Sequence, residues 1–250
     1  MKRSKFAFLL AAVMISGAIN AAQAQEHESR PSQRAKTSSV TLGNQVVLIP
    51  NPEGFEEATS QFEQVKQRFS LTEAPENDML FVHLPSSDCE LLRNGSSPTY
   101  DLYTKVSVLR ASRTLTVSSS MMAAAVTELR TQAATYLDPN GPKMEEMERL
   151  VERGLSQVNS QQTKIEFDKP QILGVVDNQP NVFSLLTLLT IKANVEGTDI
   201  TVPMLTTVNY VRVKERLIFV YTFRRFQSKA DVEPLKAFTK KWTNSILAAN

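Results

Sequence analysis

One cysteine, two histidines, one tryptophan and eight glycines are all that the 250 residues hold of the types that most often announce chemistry. A lone Cys89 excludes an internal disulfide and any zinc site built on cysteine pairs. His27 and His83 have no neighbouring His or Cys, and there is no H-E-x-x-H pattern. The glycines show no phosphate-cradling spacing, and no G-x-S-x-G elbow marks a nucleophile. Ser118-Ser-Ser120 has no base nearby, and one tryptophan supplies little of the aromatic platform that sugars stack on. No cofactor or metal is expected. A carboxylate pair for general acid–base work has no fixed spacing, so an enzyme using such a pair stays open.

The first 24 residues carry three bases, Lys2, Arg3 and Lys5, before an uncharged and mostly apolar run, Phe6 to Ile19. Ala22-Gln-Ala24 then gives the small-x-small pattern of a signal-peptidase site. The run is shorter than the roughly 20 apolar residues of a membrane span. We therefore expect a signal peptide over 1–24 and a mature chain from Gln25, in the periplasm or secreted. Cys89 is too far from the cleavage point to take a lipid. The mature part holds 25 basic and 26 acidic side chains, a formal charge of −1. Such a balance is a poor footprint for nucleic acid. Past residue 24 no apolar run is long enough to span a bilayer; Phe183 to Ile191 ends at Lys192 and reads as a strand. Stability without disulfides must come from the core, which favours a bacterial envelope protein.

Residues 25–40 are polar and aperiodic, a flexible lead-in to one domain over 41–250. Val46 to Ile49 is a short β-prone run closed by Pro50-Asn-Pro52, and Phe62, Val65 and Phe69 place a helix over 56–69. Met79 to Leu84 reads as a strand stopped by Pro85, and Ser86 to Pro98 as loop around Asn94-Gly95, where Asn94-Gly-Ser96 is formally a glycosylation sequon. Tyr100 to Leu109 is a strand with Tyr103 and Val106 or Val108 facing the core. Helices follow over 121–137, with Val126, Leu129 and Ala133 on one face, and over 144–158, with Met144, Met147, Val151 and Leu155 at helical spacing. Ile165–Val176, Val182–Val195, Ile200–Val213 and Arg216–Arg224 read as strands whose short connections require antiparallel hairpins. A last helix over 230–249 carries the stripe Val232, Leu235, Phe238, Trp242 and Ile246. The expected fold is α/β of the α+β type, a predominantly antiparallel sheet covered by helices.

The opening Ile49-Pro50-Asn-Pro52-x-Gly54-Phe55, the late strands Thr207-Val-Asn-Tyr210 and Leu217-Ile-Phe-Val-Tyr221, and the closing helix with Trp242 resemble the Mog1/PsbP-like fold. The resemblance covers mainly 42–69 and 199–248. It implies an α/β/α sandwich serving as a binding or assembly scaffold, and it brings no site residue with it. Two helices at 121–137 and 144–158 exceed what a minimal member needs.

Three further features bear on function. Cys89 reads as a half-buried small side chain, with a reactive or intermolecular thiol as the alternative; His83 reads as a structural or edge residue. Met121, Met122, Met144 and Met147 suit helix packing better than a copper site. Finally, nine acids against two bases lie between Pro50 and Glu90, and nine bases against three acids between Arg212 and Lys241. From the second set Arg224, Arg225, Lys236, Lys240 and Lys241 form a candidate basic face for an oppositely charged envelope protein or an anionic membrane surface. The leading expectation is an exported, non-catalytic binding or accessory protein. The alternative is a carrier of a small apolar ligand held between strands 79–84 and 183–191 and the helix over 121–137.

Overall fold

A computed structural model describes residues 36–250, apart from 137, 139, 140, 160, 161 and 196. The signal peptide expected over 1–24 and most of the expected lead-in lie outside the described residues. The lead-in ends earlier than expected: Thr37–Leu42 is a strand, β1, paired with β2 (Gln45–Pro50) in a hairpin of its own. Gly43 turns that hairpin with φ 59°, and a Cβ there would stand 3.1 Å from the Arg216 guanidinium. Arg216 is buried and donates to the Leu42 carbonyl and to Asn44 Oδ1, fixing the hairpin to the body.

The remaining strands form one antiparallel sheet. They are β3 (Phe55–Glu57), β4 (Asn77–Pro85), β5 (Leu102–Leu109), β6 (Thr163–Phe167), β7 (Gln171–Gln179), β8 (Val182–Val195), β9 (Thr198–Val213) and β10 (Arg216–Arg225). Their spatial order is β3-β4-β5-β10-β9-β8-β6, and β7 lies beside β6 on the same outer edge of β8. Lys214-Glu215 joins β9 to β10 in two residues, both at positive φ, as a tight hairpin with matching twist requires. β8 coincides with the expected strand. β7 corrects the single strand expected over 165–176: Pro170 has no N–H to continue a ladder, and Asp168-Lys-Pro170 divides two strands.

Among the described residues, five helices pack on this sheet: α1 (Glu63–Leu71), α2 (Ser86–Arg93), α3 (Ser119–Tyr136), α4 (Pro142–Asn159) and α5 (Val232–Ala248). Alternation along β10 sorts its side chains. Leu217, Phe219, Tyr221 and Phe223 join Phe69 of α1, Met122 and Leu129 of α3, and Met144, Met147, Val151 and Leu155 of α4. Ile218 and Val220 join Val47 and Ile49 of the hairpin and Trp242 and Ile246 of α5. Trp242 Nε1–H donates to the Pro50 carbonyl at 2.8 Å, locking helix to hairpin. The buried side of α5 is not wholly apolar: Thr239 meets Thr222 (2.7 Å) and Thr207 (3.1 Å) on the sheet.

Two local readings change. The helix expected over 56–69 begins only at Glu63, because Phe55–Glu57 pair with β4 and the Glu57 carboxylate accepts from the N–H groups of Thr59 and Ser60. The loop expected after Pro85 is helix α2. Pro85 ends the strand and opens the helix, and Cys89 and Leu92, three apart, turn inward. Cys89 is therefore fully buried rather than half-buried. Among the described residues, no helix is long and apolar enough to cross a membrane.

Candidate functional site

Where the C-terminal end of α1 meets α4 and the start of β4, the surface opens into a cleft of about 590 Å³. That volume falls within the usual range for small-ligand sites. Gly154 makes the junction possible: a Cβ there would stand 2.7 Å from the Leu71 carbonyl oxygen, so only glycine lets α4 come this close to α1.

One wall carries a buried ion pair. The Glu73 carboxylate lies 2.8 Å from Lys105 Nζ and accepts from Ser107 Oγ (2.9 Å) and Asn77 Nδ2 (2.8 Å). Both partners are almost wholly removed from solvent, so the pair needs these added hydrogen bonds to offset its lost hydration. The Lys105 ammonium lies 5.5 Å from the centre of the Tyr221 ring, and burial, with the nearby Glu73 charge, pushes the Tyr221 phenol well up.

The rim is arginine. Asp78 accepts from Arg110 Nε at 2.7 Å and from Arg113 Nη1 at 2.9 Å. Partial burial pushes the Asp78 carboxyl up, but the bonds and charges of the two arginines outweigh it and hold the group below its usual range. Arg110 follows β5 directly, with its N–H on the Glu76 carbonyl, and a 3-10 turn over Arg110–Ser112 presents Arg113 to the same carboxylate. Arg153, exposed on α4, is the third guanidinium of the lining. With Lys105 behind the wall, four cations meet two carboxylates, leaving the cleft formally positive. The contacts to Asp78 use one nitrogen of each guanidinium, and Arg110 remains 62% exposed. The remaining N–H groups suit the oxygens of a carboxylate or phosphate.

The residues singled out in the sequence lie elsewhere. Arg224 pairs with Asp231 at 2.8 Å, Arg225 with Asp101 at 3.6 Å, Lys236 with Glu233 at 2.7 Å, and Lys241 with Glu53. Lys240 is exposed. Lys236 and Lys240 are one turn apart on one flank of α5, and Lys241 lies a further 100° round the helix. The acidic set divides as well. Glu73 and Asp78 enter the cleft, whereas Glu56, Glu57 and Asp88 are buried. His83 is buried with Nδ1 3.1 Å from Thr104 Oγ1 and its ring edge-on to Trp242. Val82, Leu84, Phe183, Leu185 and Leu189, the strands proposed to enclose an apolar ligand, pack in one cluster with Met122 and Leu129. Among the described residues, no group of three or more His, Cys, Asp or Glu is placed to hold a metal ion.

Sequence reasoning passed over Arg110, Arg113 and Arg153. The available signals were the Arg-x-x-Arg spacing at a strand end and a glycine inside an otherwise regular helical pattern. Comparison with family models, curated proteins and solved structures finds no match to the chain.

Proposed function

We propose that this chain is an exported, non-catalytic binding protein of the bacterial cell envelope, and that it takes a small anionic ligand, carboxylate or phosphate, in the arginine-rimmed cleft. The leader-like first 24 residues support export. We read the fold as an α/β/α sandwich of the Mog1/PsbP-like kind, a reading supported by the β9–β10 hairpin and by α5 laying Trp242 against the sheet face.

The observation that carries the proposal is the sharing of Asp78 between Arg110 and Arg113. One carboxylate orients two guanidinium groups without neutralising both, and Arg153 adds a third within the same cleft.

Thermal unfolding with citrate or with inorganic phosphate, each against sodium chloride at equal ionic strength, tests it. Saturation near 100 times Kd adds about 2.7 kcal/mol, which for a chain of this size raises Tm by roughly 5–10 °C. The two anions separate a carboxylate ligand from a phosphate one. Arg153→Gln is expected to weaken binding about tenfold, as loss of one charge-assisted contact does; Arg224→Gln, on the other basic face, is expected to leave it unchanged. No shift with either anion overturns the cleft, as does a loss confined to Arg224→Gln. The latter result moves the site to the basic side chains around Arg224 at the end of β10.

A further inference from the structure

The arginine rim uses only part of the cleft. Apolar side chains from three elements share its lining: Leu71 at the end of α1, Met79 of β4 and Leu150 of α4. All three are partly buried, so each keeps some of its surface open to a ligand. Leu150 and Arg153, three residues apart on α4, lie on one side of the helix and set an isobutyl group beside a guanidinium. Gly154, one turn on from Leu150, lets the end of α1 with Leu71 come up to the same stretch of α4.

The buried acid of the lining does not oppose an anion. Glu73 is already matched by Lys105 Nζ at 2.8 Å and by the donors Ser107 Oγ and Asn77 Nδ2. The volume also exceeds what a bare inorganic anion fills. A space of about 590 Å³ is of the size that holds drug-sized ligands, in which apolar contact gives affinity and a few polar groups fix orientation. Phosphate alone would meet the arginines and leave Leu71, Met79 and Leu150 wet.

We propose that the ligand of this cleft is an amphiphilic anion, with its carboxylate or phosphate head on Arg110, Arg113 and Arg153 and a short apolar body against Leu71, Met79 and Leu150. The inference rests on the anion-binding reading above and narrows it. The guanidinium groups hold the head by charge and directed N–H groups, and the apolar lining gives the body a place out of water.

Thermal-shift affinities for two homologous series at constant ionic strength are the test: acetate to hexanoate, and methyl to pentyl phosphate. Each series adds four methylenes to one head group, and the series that binds more tightly names the head. A methylene wholly buried is worth about fourfold in affinity; in an open cleft about twofold is expected, so the longest member of the preferred series should bind roughly 15 times more tightly than the shortest. Leu150→Gln, read against its own unliganded midpoint, is expected to lose at least half of that gain in free energy while binding the shortest anions as the wild type does. Hexan-1-ol, a six-carbon body without the charge, is expected to give no shift.

Binding of citrate or inorganic phosphate with no gain along either series overturns the amphiphile and leaves anion binding standing. No shift with any of these anions overturns both. A gain in Leu150→Gln equal to that of the wild type overturns the assignment of the apolar body to this lining. Stabilisation by hexan-1-ol equal to that by hexanoate overturns the arginine head site.

Discussion

His83 lies near the end of β4, fully buried and opposite Glu57 of β3, and burial holds its imidazolium pKa down at about 3, against 6.5 for an ordinary histidine. The folded chain therefore keeps the ring neutral while the unfolded chain protonates it from pH 6.5 downward. Its contribution to stability is complete above pH 6.5 and is lost as pH falls toward 3, at about 1.4 kcal/mol per pH unit. Replacing it with glutamine removes that dependence. In urea unfolding, the stability difference between wild type and His83→Gln is expected to change by about 2–3 kcal/mol between pH 7 and pH 4.5. Parallel pH profiles for the two chains would show that the ring is not buried neutral. The sequence marked His83 as structural, and its apolar neighbours in the strand justified that. Nothing in it foretold that the ring would stand edge-on to Trp242, a contact made across 159 positions of chain.

At the scale of the element, α4 shows how one helix can face two ways. Met144, Met147, Val151 and Leu155 are buried against the sheet, as their spacing required. Glu148, Glu152 and Ser156, four apart, run up another side and receive the N–H groups of β6. Alanine at both glutamates is expected to lower stability by roughly 2 kcal/mol and to speed amide exchange at Ile165 and Phe167; glutamine at both, whose amide oxygen still accepts, should recover most of the loss. Unchanged exchange in the alanine variant would mean that the contacts contribute nothing. Local pattern gave the helix faces and the late hairpins, because those depend on residues a few positions apart. It missed α2, where a proline served as the start of a helix instead of the stop before a loop. It also missed the cleft, whose arginines come from positions 110, 113 and 153 and meet only because Gly154 allows two helices to touch.

For the molecule as a whole, the single tryptophan reports on the junction of its layers. Trp242 binds the hairpin through Pro50 and packs with Val220 of the sheet and Ile246 of its own helix. Its fluorescence and the far-UV circular dichroism are therefore expected to change together in urea, as one cooperative unit does. Separate midpoints would show the hairpin and α5 coming away from the sheet first. The wider plan was readable only in part. An antiparallel sheet with helices followed from the order of periodic segments, but not the strand order, in which β10 is inserted beside β5.

That insertion sets a timetable. Ser107 pairs with Phe219, so the middle of the sheet is built from strands made more than a hundred residues apart. Until β10 has left the ribosome, β5 has an open flank and neither face of the sheet can close. Contacts of such long sequence separation fold slowly. For the export proposed above, this delay has a use: no core can close before the last strand is made, and until then the chain stays threadable.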